Sequence, residues 1–206
     1  MKSRISRRLT RHTKRKSKQT KKCQLMQKLV VQSNKLRYIS LAELDDTHIA
    51  QLARLNEKDS SGTVWTEKEI KIFVEDEKTQ LTLPDISRKF YSYGIFMDGR
   101  IIGYICGKKS YLLGKQPNKF DLLLVILIDT TYKNMGIGTN SINWFIKTYA
   151  NKIKRLGGYA RKARLFADIA PSNIGSIRVF EKNNFKYAND IQIKGKMYKR
   201  YYRGIL

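Results

Sequence analysis

The run "KFDLLLVILID", residues 119–129, and the residues behind it constrain the fold of this chain more than any other feature. Seven consecutive apolar residues without alternation suit a strand buried on both faces. The run is far too short to cross a bilayer, which takes about 20 apolar residues. Directly after it, "KNMGIGTNS" (133–141) places Gly136 and Gly138 at a junction, and "INWFIKTYANKIKR" then takes up a helical rhythm. That rhythm puts Ile142, Phe145, Ile146, Tyr149 and Ile153 on one face. A buried strand, a glycine turn and an amphipathic helix in that order imply a sheet with a helix packed against it.

The flanks fill in the rest. "LRYISLA" reads as a short strand, and "DDTHIAQLARLNEK" as a helix capped by Asp45, Asp46 or Thr47 with Ile49, Leu52 and Leu55 inward. "TEKEIKIFVEDEK" is a second helix, with Thr66 and Glu69 at capping-box spacing. Asp98-Gly99 suits a two-residue type I′ turn between apolar runs. "ARLFADIA" is a strand ended by Pro171-Ser172, "NIGSIRVFEKNN" a short helix, and residues 186–206 a closing hairpin turning near Gly195. The expected order is β-α-α-β-β-β-α-β-α-β-β, an α/β (α+β) fold with a mixed sheet and helices on both faces.

Charge divides the chain. Residues 1–37 carry 14 Lys/Arg and no Asp/Glu, which leaves 28 of the 42 basic residues against all 17 acidic ones. Such a block repels itself and buries too little surface to offset its ordering entropy. Residues 1–34 are therefore expected to form a basic, disordered tail and residues 35–206 one globular domain. Residues 2–37 suit nucleic acid or another acidic partner. Lacking an apolar core segment, the tail is not a secretory signal. Cys23 and Cys106 are isolated thiols, which fits a reducing, intracellular setting, cytoplasmic or nuclear. His12 and His48 are the only histidines and lie in different regions, so no metal site is expected. No membrane association is expected either.

A glycine turn from a buried strand into a helix is a natural anion site. Positive-φ glycines let successive N–H groups converge, and the helix dipole adds positive potential. A tight structural corner is the competing reading. No G-x-x-x-x-G-K-[ST] is present, and Gly138 is followed by Thr139, Asn140 and Ser141, so the dinucleotide fingerprint also fails.

The stretch does resemble the pyrophosphate motif of the GNAT superfamily of acyl-CoA N-acyltransferases, [RQ]-x-x-G-x-[GA]. Here it reads Lys133-Asn134-Met135-Gly136-Ile137-Gly138. A second family element, N-x-x-[AS]-x-x-[LV]-[YF]-x-K-x-[GN]-F, is matched by Asn173, Ser176, Val179, Phe180, Lys182, Asn184 and Phe185. The resemblance spans about residues 36–206 and implies a mostly antiparallel sheet whose fourth and fifth strands splay apart. It implies acetyl-CoA as co-substrate and a primary amine, on a protein or small molecule, as acceptor. Lys133, Asn134, Met135, Gly136, Ile137, Gly138 and Thr139 would hold the pyrophosphate. Backbone near Ile128 and Thr130 would pair with the pantetheine arm, with a strand bulge aiming an N–H at the acetyl oxygen. Asn173 would bond the arm, and Phe180 would pack near the sulfur.

Three departures mark this chain. Lys133 stands for Arg or Gln, a point charge instead of a fork. Asn134 replaces a common Gly. Phe180 occupies the place of a tyrosine proposed to protonate the leaving thiolate. The usual fourth-strand glutamate position falls on Leu122, so Asp121 beside it and Asp168 on the fifth strand are the candidate general bases, each with a non-catalytic alternative. "KMYKRYYR" reads best as a solvated edge strand, with an acceptor groove or nucleic-acid contact as alternatives. The rival to an enzyme is a nucleic-acid-binding protein carrying a degenerate acetyltransferase domain.

Overall fold

The computed structural model describes residues 36–57, 66–83, 87–109, 120–155 and 162–205. The tail expected over residues 1–34 lies outside them. Strands β1 (Arg37–Ser40), β2 (Phe90–Met97), β3 (Arg100–Lys108), β4 (Leu122–Ile128), β5 (Arg164–Ile169), β6 (Lys186–Ile193) and β7 (Lys196–Gly204) form one sheet in the order β1-β2-β3-β4-β5-β7-β6. Only the β4–β5 pair is parallel. Helices α1 (Asp46–Glu57) and α2 (Glu67–Leu81) lie on one face, α3 (Ile137–Lys154) and α4 (Ile174–Lys182) on the other.

Local chemistry sets these elements. Asp45 Oδ1 accepts from the His48 N–H at the start of α1. Thr66 and Glu69 complete their capping box at α2. Asp98 (φ 52°) and Gly99 (φ 75°) give the β2–β3 turn the two positive φ angles of type I′, and Lys194 and Gly195 do the same between β6 and β7.

Two hydrophobic layers sandwich the sheet. Ile142, Phe145, Ile146, Tyr149 and Ile153 of α3 are all buried against Ile105, Leu122, Leu124, Leu165 and Ala167. On the opposite face Leu52, Ile70 and Val74 cover Phe96, Tyr104 and Leu127. Phe145 seats closely because Gly107 faces it. A Cβ at Gly107 would stand 2.5 Å from Phe145 Cζ and 3.0 Å from Leu122 Cδ1. The β2–β3 register slips at Ile95/Phe96, where Ile102 is the extra residue. That bulge turns Ile102 toward α3 while Ile101 and Tyr104 face α1 and α2.

Candidate active site

β4 and β5 pair only at Leu122↔Leu165 and Leu123↔Phe166, after which β5 continues along β7 alone. From Leu124 onward the two strands part, giving the expected splay. The Asp129 N–H donates to the Ile102 carbonyl at 2.8 Å, and the β3–β4 register is unbroken from Leu123 to Ile128. In an antiparallel ladder alternate residues turn their backbone groups to opposite sides. Leu123, Val125 and Leu127 therefore bond β3, while Leu124, Ile126 and Ile128 point their N–H and C=O groups into the gap. The expected bulge at Ile128 is absent from this register. Parting of the strands, not a bulge, is what frees the backbone.

At the open end of the gap the chain makes a 3-10 turn, Thr130–Tyr132. Asp129 caps it by accepting from Thr131 N and Oγ1, both at 2.9 Å. Lys133 is extended, Asn134 has φ 66°, and Gly136 has φ 80° and ψ 0° as the N-cap of α3. Asparagine tolerates left-handed backbone better than most residues, which accounts for Asn134 where glycine is common. No side chain caps α3 and no acidic residue lies in its first turn. The N–H groups of Ile137, Gly138 and Thr139 thus emerge at the helix start, and Asn140 N is the first to close a helical bond, to Gly136 O at 3.0 Å. A Cβ at Gly136 would meet nothing within 4 Å, so the turn is open at that glycine. Buried Ile137 anchors the turn from below, with Met135 packed beside it.

Gly138 departs from expectation. It sits in the helix without a positive φ, and a Cβ there would make an ordinary 3.5 Å contact with Val179. Its smallness serves the approach of α4, and alanine would fit, in keeping with the [GA] of the motif.

The second motif proves to be a set of helix caps. Asn173 Oδ1 accepts from Ser176 N at 3.0 Å, opening α4. At the other end Phe185 N donates to Phe180 O (3.1 Å) and Asn184 N to Glu181 O (2.9 Å), with Asn184 at φ 61°. That is a Schellman motif, and its usual apolar contact is the edge-on pair Phe180–Phe185, 4.9 Å between ring centres. Phe180 is buried in the core and brings no polar atom to the gap.

Sequence reasoning missed Asn183. Its Nδ2 donates to Val179 O at 2.9 Å and to Thr139 O at 3.2 Å, and its carbonyl accepts from Arg203 Nη1. The buried side chain therefore ties α4 to the first turn of α3, and the backbone carbonyl takes the bond from β7. The residue falls on an unspecified position of the motif, so only its contacts reveal it.

Both candidate bases are held by arginines. Asp121 accepts from Arg164 N and Arg164 Nη2, each at 2.8 Å, at the closed end where β4 and β5 still pair. Seven residues of strand, roughly 23 Å, separate it from Ile128. Asp168 holds Arg200 bidentately, Oδ1 to Nε at 2.7 Å and Oδ2 to Nη2 at 2.8 Å. Both carboxylates act as strand clamps. Another carboxylate lay outside the sequence reading. Glu77 on α2 is 2% exposed, accepts from Ser92 Oγ (3.1 Å) and Ser92 N (3.4 Å), and burial pushes its pKa up to about 7. Ser92, Cys106 and Val125 share one row of the sheet, so the serine that Glu77 meets lies two strands, about 10 Å, from β4. Burial also pushes the Cys106 thiol up to about 12, far from a reactive thiolate. Among the described residues no cluster of His, Cys, Asp or Glu could hold a metal, and no helix is long and apolar enough to cross a membrane.

Residues 62–185 match the model of the Acetyltransferase (GNAT) family. The chain belongs to this family. Solved structures agree at the level of fold. RimL, a ribosomal L7/L12 α-N-protein acetyltransferase in complex with coenzyme A, superimposes with a TM-score of 0.60 at 18% identity, over 82% of this chain and 93% of that one. The aminoglycoside acetyltransferase AAC(6′)-Ib with coenzyme A gives 0.58 at 16%, over 83% and 94%. A spermidine N-acetyltransferase chimera from Vibrio cholerae and hSSAT gives 0.58 at 14%, over 84% and 95%. No curated protein matches the chain by sequence.

Proposed function

We propose that this GNAT protein is an acetyl-CoA-dependent N-acetyltransferase that passes the acetyl group to a primary amine by direct attack. The observation that carries the reading is the uncapped start of α3, with Gly136 at φ 80° and the turn open at that glycine, at the mouth of the β4–β5 gap. A pyrophosphate fits donors of this kind, and the dipole of the 18-residue helix favours its charge. Lys133 adds a cation beside it.

Leu124, Ile126 and Ile128 offer the pantetheine arm a strand edge to pair with, and the N–H nearest the thioester carbonyl stabilises the oxygen as it gains charge. The amine nitrogen forms the new C–N bond while the C–S bond breaks, the nitrogen loses a proton, and the thiolate departs. Phe180 has no proton to give, so the thiolate leaves as such or takes a proton from water. Asp121 and Asp168 remain clamps, and amine deprotonation falls to solvent at the cleft mouth. Relatives in this fold act on a ribosomal protein N-terminus, spermidine and aminoglycosides, all of them amines.

The test is acetyl-CoA consumption over a panel of peptide, polyamine and aminosugar amines, with mass spectrometry of the products. Acetyl transfer to at least one amine is expected. A protein that neither binds acetyl-CoA nor melts higher in its presence would sink the reading. Tight coenzyme A binding without transfer to any amine would favour a coenzyme A sensor, the reading to which Phe180 and the arginine-bound aspartates point.

A further inference from the structure

The half of the sheet beyond the cleft carries a second surface, on the face away from α3 and α4. Leu165, Ala167 and Ile169 of β5, and Tyr201 of β7, face α3 and α4 in the core. The alternate residues, Arg164, Phe166, Asp168, Tyr198, Arg200 and Tyr202, point to the opposite face. The helices of that face, α1 and α2, lie over β2 and β3.

Its side chains form a basic and aromatic lattice. The guanidinium carbons of Arg164 and Arg200 lie 5.0 and 5.9 Å from the centre of the Phe166 ring. Tyr202 sits beside Phe166 at 6.4 Å and is 36% exposed. Lys186 is the cross-strand partner of Tyr202, and Lys196 extends the face toward the hairpin turn. Both carboxylates on this face, Asp121 and Asp168, are bound by arginines. Lys186 and Lys196 are solvent-exposed, and the side chain of Arg164 is 46% exposed. Residues 186–204 hold six Lys/Arg and one acidic residue, Asp190, which register places on the other face beside Lys199.

We propose that this face of β5, β7 and β6 binds single-stranded nucleic acid. Lys186, Lys196 and Arg164 meet phosphates, and a base stacks on Tyr202. The chemistry that selects this partner is the pairing of cations with an exposed ring whose neighbouring acids are already neutralised. A protein surface offers no regular array of charge to match the lysines, whereas a nucleic-acid strand supplies phosphate and a stackable base in every unit. The basic segment of residues 1–35 stays unchanged in every variant of the test.

The experiment uses the full chain and a fluorescein-labelled oligo(U) containing 4-thiouridine. Ultraviolet crosslinking followed by peptide mass spectrometry is expected to place adducts on the peptide carrying Tyr202. Adducts confined to residues 1–35 would overturn the proposal. In equilibrium titrations Tyr202→Ala is expected to weaken binding by roughly 5- to 100-fold, the range for one base–aromatic stack, and Tyr202→Phe to retain it. Lys186→Glu with Lys196→Glu is expected to lower the slope of log affinity against log salt by about 1.4, from about 0.7 per phosphate contact. Parent-like affinity in Tyr202→Ala and an unchanged salt slope in the lysine variant, with melting temperatures intact, would refute it. So would an equal loss of heparin binding in Tyr202→Ala, because heparin has no base to stack.

Discussion

Replacing Glu77 by Gln should stabilise the protein, and only at neutral to alkaline pH. Glu77 projects from α2 onto the sheet, where burial is the largest influence on its carboxyl and raises its pKa from 4.5 to about 7. The Ser92 hydroxyl and N–H act the other way, as does Arg88, while Asp76 adds to the rise. Ser92 Oγ also lies 3.4 Å from Cys106 Sγ. Because the folded-state pKa lies above the unfolded one, the native protein binds more protons than the unfolded chain between pH 4.5 and 7. Stability therefore falls as pH rises through that window, and the penalty is complete above the folded pKa. A shift of this size corresponds to at most about 3 kcal/mol at pH 8 and under about 1 kcal/mol at pH 5. Glutamine keeps the shape and an acceptor oxygen for Ser92 without the charge. Urea unfolding of both proteins at pH 5 and pH 8 reads the difference. The advantage of Glu77→Gln should grow by about 2 kcal/mol between the two. Equal differences at both pH values, or a variant less stable at pH 8, would refute the reasoning and mean that the carboxylate is solvated by water.

Other changes probe the site and its frame. Gly136→Glu places a carboxylate and a strained φ among the α3 donors, and acetyl-CoA, which at a hundredfold excess over its Kd should stabilise the parent by about 2.7 kcal/mol, should no longer raise the melting temperature. Asp168→Asn should lower stability by about 1–3 kcal/mol yet leave the pH–rate profile on a small amine unchanged; loss of an acidic limb would instead restore Asp168 as the base. Gly107→Ala forces a methyl to within 2.5 Å of Phe145 Cζ, and denaturant unfolding should show a loss of about 1–3 kcal/mol. Asn183→Ala frees the first turn of α3 from α4, so KM for acetyl-CoA should rise several-fold with kcat little changed; a fall in kcat alone would contradict a positioning role.

Legibility in the sequence followed how local each signal is. Helix caps, the two hairpin turns and the inward face of α3 depend on neighbours a few residues apart, and all of these appear where the spacing places them. The splay of β4 from β5 was legible only through family resemblance, since it depends on how β5 pairs with β7 some 35 residues downstream. Side-chain partnerships were least legible. Nothing near Asp121 in sequence announces Arg164, and nothing near Asp168 announces Arg200. An acidic residue on a strand beside a motif reads as a candidate base until its partner is known. Glu77 escaped notice for the opposite reason, because it lies in a helix rich in acids, where one buried carboxylate looks like its exposed neighbours.

The caps also explain why two motifs separated by about 35 residues travel together. An anion cradle works only if its N–H groups are held still, and α3 begins on a glycine with no side-chain cap. Its first turn must be fixed from outside. Asn183 does this through the Thr139 carbonyl, and it can do so only if α4 ends at that residue. The Schellman turn through Asn184, with Phe180 packed on Phe185, is what ends it there. Val179, one residue earlier, lies against Gly138 and sets the helix spacing. The second motif is thus the mechanical support of the first, and Phe180 meets that structural demand with or without a hydroxyl. Phe180 itself brings no proton to the thiolate, and the chemical question rests on what reaches the gap between Leu124 and Ile128.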